Sequence, residues 1–137
     1  NYSLFRTYRC SPITLFELQE TAVKYVNKKE KEIPFWNLIT VPYSSLEERC
    51  KNIAKSISFS TTIEKGKSVI GGGTLPSVTL ESPILLIEYE KTGNIINQLI
   101  KNDIPIVPRI IKDRVCLDLR SVFNDQDAAI VQALNNT

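Results

Sequence analysis

The first sustained pattern along the chain is helical. Leu15, Leu18, Ala22, Val23 and Val26 recur at three- and four-residue spacing, which places them on one stripe of an α-helix. Thr14-Leu15-Phe16-Glu17 has the form of a capping box, in which the hydroxyl takes an orphan amide and the carboxylate reaches back. The helix is therefore expected to begin at Thr14. It runs out in Asn27-Lys28-Lys29-Glu30-Lys31-Glu32, whose alternating signs read as a solvated end and not a binding patch. Pro34 pushes Ile33 to extended backbone, so Ile33-Pro34-Phe35-Trp36, which holds the only tryptophan, is expected as an extended connector. After Pro42, Ser44 or Ser45 is expected to cap a second helix with Leu46, Cys50, Ile53, Ala54 and Ile57 as its apolar stripe.

The period then shortens. Ser58 to Glu64 is rich in Ser, Thr and β-branched residues and reads as a strand. Val69-Ile70 leads into Gly71-Gly72-Gly73. Pro83 to Tyr89 is an unbroken apolar run, expected as a strand that is central or covered on both faces. Thr92-Gly93-Asn94 opens a short helix carrying Ile95, Ile96, Leu99 and Ile100. Pro105 to Ile111 and Arg114 to Leu119 are two strands joined by the two-residue loop Lys112-Asp113. Asn124 or Asp125 caps a last helix through Ile130, Val131 and Leu134. Asp125 and Asp127 suit the dipole of its first turn and are not read as a catalytic pair. The order predicts an α+β, two-layer small domain with a mainly antiparallel sheet and helices on one face. Residues 1–137 are expected as a single domain: a linker at 1–13, a helical part at 14–57, and a sheet with two helices at 58–137.

Composition narrows the chemistry. At 137 residues the chain can enclose one real core. Seventeen Lys+Arg against fifteen Asp+Glu leave a net charge of +2, too little for a surface that coats nucleic acid. No apolar run approaches the ~18 residues of a membrane span, and the N-terminus lacks a signal-peptide core, so a cytoplasmic protein without a membrane partner is expected. Histidine is absent. That excludes, within this chain, an imidazole base and a His-ligated metal, and no metal site is expected. Methionine is absent too, so Asn1 is not a retained initiator and the chain is expected to be part of a longer one. Cys10, Cys50 and Cys116 are odd in number and contain no C-x-x-C pair, which fits reduced thiols. Cys50 and Cys116 lie in apolar patterns and are expected in the core; Cys10, in a polar stretch, is the one candidate for reactivity.

Two phosphate-binding motifs fail. Gly66-Lys67-Ser68 resembles the end of a P-loop, but position 61 is Thr and no helix can follow at Val69-Ile70-Gly71. Gly71-x-Gly73 lacks the third glycine of a dinucleotide fingerprint, because Pro76 stands there. Three consecutive glycines still need a cause: a tight turn packed on a neighbour, or backbone placed beside a ligand or partner domain.

Arg6-Thr7-Tyr8-Arg9 ahead of a capped helix, Ile33-Pro34-Phe35-Trp36, Gly71-Gly72-Gly73-Thr74-Leu75-Pro76, Pro105-Ile106-Val107-Pro108-Arg109-Ile110 and Cys116-Leu117-Asp118-Leu119-Arg120-Ser121-Val122 follow one another in an informative order. In that order the chain resembles the C-terminal part of the bacterial selenocysteine synthase family, the L-seryl-tRNA(Sec) selenium transferases, from Arg6 to Leu134. These are fold-type I enzymes of pyridoxal 5′-phosphate (PLP). The resemblance implies a PLP lysine upstream of this segment, no catalytic residue within it, and no activity of the segment alone. It implies L-seryl-tRNA(Sec) and selenophosphate as substrates and a homo-oligomer as the assembly.

Arg6 and Arg9 match the family's paired arginines at the selenium-donor pocket, where guanidinium forks suit phosphate-type oxygens; an i,i+3 pair can also share one helical face. Arg109 stands where many fold-type I enzymes clamp a substrate carboxylate; in seryl-tRNA that group is esterified, which leaves contact with the tRNA 3′ end or an acid partner in the sheet. Gly71, Gly72 and Gly73 form the backbone turn expected near the site. Asp118 and Arg120 are read as structural, on opposite faces of their strand. Cys10-Ser11-Pro12 replaces the family's Val-Asp-Lys. Two rivals stand beside this reading: the small domain of a related PLP lyase acting on a small amino acid or amino-sugar phosphate, and a non-catalytic interaction module using the glycine turn and the Trp36 region.

Overall fold

A computed structural model describes residues 9–71, 77–89 and 92–137. The chain forms two compact units, residues 1–37 and 38–137, and each is considered by itself.

In the first unit, helix α1 spans Pro12–Val26, two residues ahead of the expected start. Ser11 is the N-cap: its Oγ accepts from the Thr14 amide at 3.1 Å, and Pro12 occupies the first helical position. Proline fits there because its missing N–H is an orphan anyway and its φ is preset. The capping function thus passes from Thr14 to Ser11. Asn27 closes the helix, Lys28 turns the chain at φ 57°, and Glu30–Glu32 is a 3₁₀ turn. Ile33 is extended, at φ −87° and ψ 122°, but Pro34–Ile39 is a short helix, α2, and not the extended connector expected. Pro34 constrains only the residue before it and itself begins a helix well. The Trp36 indole N–H donates to the Tyr25 hydroxyl at 2.8 Å, and Phe35 meets Trp36 edge-on.

The second unit holds the core. Helix α3, Tyr43–Ser56, has Pro42 at its N-cap with no side-chain cap; Ser44 and Ser45 are inside the helix instead. Its stripe buries Leu46, Cys50, Ile53 and, at the C-cap, Ile57. Strands β1 (Thr61–Val69) and β2 (Thr79–Ile87) pair antiparallel along their whole length. Both lie displaced from expectation, β1 toward its C-terminal side and β2 toward its N-terminal side, because this mutual ladder carries Lys65, Lys67, Thr79 and Glu81 into strand geometry despite their polarity. Helix α4 is Thr92–Lys101. Strands β3 (Arg109–Ile111) and β4 (Arg114–Asp118) form the hairpin, and Lys112 and Asp113 turn it with φ of 50° and 59°, the pattern of a type I′ turn. β3 is shorter than the run expected from Pro105, since Pro105 and Pro108 offer no N–H to a ladder. Leu119–Ser121 and Asn124–Gln126 are 3₁₀ turns, and helix α5 is Asp127–Asn135. The Phe123 amide donates to the Gln126 side chain at 3.1 Å, so neither Asn124 nor Asp125 is the cap.

The sheet order is β1-β2-β4-β3, all antiparallel, which makes β2 and β4 central as the apolar run of β2 implied. Leu85, Ile87, Val115 and Leu117 join residues of α3, α4 and α5 in the main core, whereas Ile84, Leu86 and Cys116, on the opposite face, form a second small cluster with Ile111. The α+β class and antiparallel sheet are therefore as expected. Pro83 sits mid-strand, but β4 pairs with β2 only from Ile84 onward, so at Pro83 the strand has one neighbour, where proline is tolerated. Gly66 is required by close approach: a Cβ there would stand 2.7 Å from Ile84 Cγ2.

One ion pair joins α3 to α5 and to the turn that precedes α5. Arg49 of α3 donates from Nε and Nη2 to the two Asp127 oxygens at 2.8 and 2.7 Å, and from Nη2 to the Val122 carbonyl at 3.0 Å. Such a bidentate, partly buried pair has far more fixed geometry than a surface contact.

Candidate functional site

The second unit carries a cleft of about 730 Å³ at the end of β4, lined by segment 104–107, Ser68 to Ile70, Leu80, Arg109, Cys116 to Val122, Gln126, and Ala129 and Ile130 of α5. The Ile106 amide donates to the Leu99 carbonyl at 2.9 Å, which fixes segment 104–107 to the end of α4.

The polar end of the cleft follows from strand register. Arg109 lies opposite Cys116, Asp118 opposite Ile84, Ser82 opposite Gly66 and Ser68 opposite Leu80. Since side chains alternate along a strand, Ser68, Ser82, Arg109 and Asp118 share the face away from the main core. Asp118 is their hub. Its Oδ2 accepts from Ser68 Oγ at 2.5 Å and Arg109 Nη2 at 3.2 Å, and its Oδ1 from Ser82 Oγ at 2.8 Å and the Arg120 amide at 3.1 Å. Four donors match the acceptor capacity of a carboxylate.

Arg120, expected on the opposite face of one strand from Asp118, is instead in the 3₁₀ turn after β4; two positions apart on a strand the pair would have shared a face. It is only 7% exposed. Nη1 donates to the Ile39 and Val41 carbonyls at 3.1 and 3.0 Å and Nη2 to the Glu81 carbonyl at 2.7 Å, which ties the turn to segment 39–41 and to β2. Among the described residues its Nε has no partner. Burial raises the Cys116 thiol above its ordinary value, against the pull of Arg109. The Cys50 thiol is pushed up to about 12, mainly by burial. Cys10 is exposed.

Of the expected site residues, Arg109 is in the cleft and takes the acid partner in the sheet. Arg9 belongs to the other unit, exposed and in irregular backbone ahead of α1, so it is not on a helical face. Arg6, Gly72 and Gly73 lie outside the described residues. Gly71 has neither a positive φ nor any atom within 4 Å of where a Cβ would stand, so neither reason for glycine applies at that position. Ser68 and Ser82 were not anticipated; the signal was two serines in strands whose period places them beside Asp118. Gly66-Lys67-Ser68 lies inside β1, in keeping with its rejection as a P-loop.

Residues 1–123 match the family model of L-seryl-tRNA selenium transferase. The chain belongs to that family. It is 31% identical to the L-seryl-tRNA(Sec) selenium transferase of Clostridium perfringens over 140 residues, covering 96% of this chain and 30% of the relative. The enzymes of the same name from Alkaliphilus oremlandii and Campylobacter jejuni are 30% and 27% identical, again over 96% of this chain and 30% and 29% of their own lengths. The chain thus spans about 30% of the length of the curated relatives it matches. These names favour neither the lyase nor the interaction-module rival. Among the described residues no lysine lines the cleft, so these residues cannot hold an aldehyde cofactor as a Schiff base. Among the described residues, no helix is long and apolar enough to cross a membrane.

Proposed function

We propose that this chain is the C-terminal domain of a PLP-dependent enzyme that converts L-seryl-tRNA(Sec) to L-selenocysteinyl-tRNA(Sec) with selenophosphate as donor. The observation that carries the reading is the family match over residues 1–123. The 30% share of the relatives' length and the lysine-free cleft support a division of labour: the PLP lysine belongs to a segment outside these 137 residues, and PLP supplies the carbanion chemistry there. This chain's own contribution is positioning and charge. Arg6 and Arg9 face the selenium donor, which the exposure of Arg9 allows; Arg109 meets the substrate, with the segment Gly71-Gly72-Gly73 as the backbone beside it. The whole protein is a cytoplasmic homo-oligomer.

Kinetics of the full-length gene product test the reading. Arg6→Ala and Arg9→Ala should each impair selenophosphate-dependent turnover while leaving the fold intact; unchanged donor kinetics would remove them from the pocket. An aldimine-type absorbance lost on replacing an upstream lysine, with no turnover by residues 1–137 alone, would place the cofactor as proposed. Turnover by the isolated chain would end the proposal.

A further inference from the structure

Among the residues that line the cleft, three are charged: Arg109, Arg120 and Asp118. One positive charge is therefore left over. Arg120 is held by three carbonyls and by no carboxylate among the described residues, and its Nε is unpartnered. A buried guanidinium with incomplete acceptors is costly unless negative charge is brought near it.

The Arg109–Asp118 pair is built asymmetrically. Asp118 keeps Ser68, Ser82 and the Arg120 amide if Arg109 leaves. Arg109 contributes one bond at 3.2 Å from a side chain 49% exposed. Separating such a pair costs little, and a freed guanidinium can offer a bidentate fork. Ile106 and Ile130 also line the cleft, and low-dielectric surface strengthens a charge interaction formed beside it.

We propose that the cleft binds a phosphate-type oxyanion and that Asp118 is the counter-ion Arg109 gives up to reach it. Asp118 is then a positioning residue: it parks Arg109 in the unliganded cleft and competes with the anion for it. The inference rests on the reading of Arg109 as substrate-facing and adds the class of ligand group and the residue that tunes it. The oxyanion can come from a small phosphate compound or from a nucleic-acid phosphodiester.

The test is a nitrogen-15 NMR titration of the full 137-residue chain with inorganic phosphate and, separately, a single-stranded trinucleotide. Phosphate should shift the Arg109 Nε–H resonance while the Ser68 and Ser82 amides stay in place. Asp118→Asn should bind phosphate about threefold more tightly, the scale of a half-exposed ion pair, and Arg109→Gln should abolish binding. Equal affinities would assign a small phosphate compound, and a tighter trinucleotide would assign nucleic acid; both support the site. Shifts confined to Lys65 and Lys67 with Arg109 unmoved would overturn it, as would Asp118→Asn binding that is unchanged or weaker. If Asp118→Asn does not fold, the shift pattern of the unaltered chain decides alone. The two readings fail separately. Phosphate bound through Arg109, with full-length Arg109→Gln turning over normally, removes the functional reading and keeps the site. Loss of turnover in that variant, with Arg109 silent to phosphate, does the reverse.

Discussion

Among the described residues of 38–137, seventeen hydrophobic side chains from three helices, the central strands and a connecting turn are buried, and Pro83 with them, whereas no described residue between 9 and 37 is buried. The contrast is not one of composition. Helix α1 carries Ile13, Leu15, Phe16, Leu18, Val23 and Val26, all exposed, the last at 82%. Helix α3 is no richer in apolar residues, yet Leu46, Cys50 and Ile53 of its stripe are buried. Spacing alone therefore identifies a helix without saying what covers it. In α1 the helix is held by a cap, a proline at its first position and the Tyr25–Trp36 contact. Such local terms leave a helix of this length marginal in water.

Truncation should separate the two regions most sharply. Leu46→Ala in α3 should lose about 2–5 kcal/mol of stability through its buried transfer and cavity terms, read by denaturant unfolding of residues 1–137. Leu15→Ala in α1 should change the same transition by less than about 0.5 kcal/mol. Equal losses would break the comparison. Arg49→Ala should follow, at about 2–3 kcal/mol, because it strands Asp127 and several carbonyls without their donor. Smaller still, Gly66→Ala should cost about 1–2 kcal/mol by forcing Ile84 aside, while Gly71→Ala should be near neutral, within about 0.5 kcal/mol. Thermal melts of the pair would show whether close packing, and not glycine as such, sets the cost.

Chemical probes sharpen the same contrast. In the native chain a thiol reagent at neutral pH should label Cys10 alone, with Cys50 and Cys116 reacting only on unfolding. The Cys50 thiol is raised from 9.0 to about 12 in the folded chain, so the folded state retains a proton that the unfolded state gives up. Its contribution to stability is present below pH 9 and is lost as pH rises toward 12. Unfolding midpoints should fall through that window, and Cys50→Ala should flatten the fall even as it lowers the midpoint throughout.

The central strands, the hairpin turn and the stripe of α3 were legible because apolar period, turn length and burial agree there. Element ends were not. Thr14 fits a capping box, but Ser11 followed by proline competes for the same role, and only geometry decides between them. Extended backbone is expected at Pro34 and a cap at Ser44 or Ser45, whereas Pro34 begins a helix and Pro42 is itself the N-cap of the next. The site was half legible: Arg109 and an acid partner were anticipated, but the hub at Asp118 depends on a register that joins residues 50 positions apart. No local window contains that information. The family, by contrast, followed from motif order, which survives errors in every boundary.

The two rims of the sheet have a consequence for behaviour at high concentration. One rim is the three-residue β3, preceded by Pro105 and Pro108, and the other is β1, with Lys65 and Lys67 exposed. Prolines, brevity and lysines all discourage a foreign strand from joining a sheet. Even with an apolar helix face exposed elsewhere, both margins of the sheet disfavour growth of cross-β fibres from the native fold.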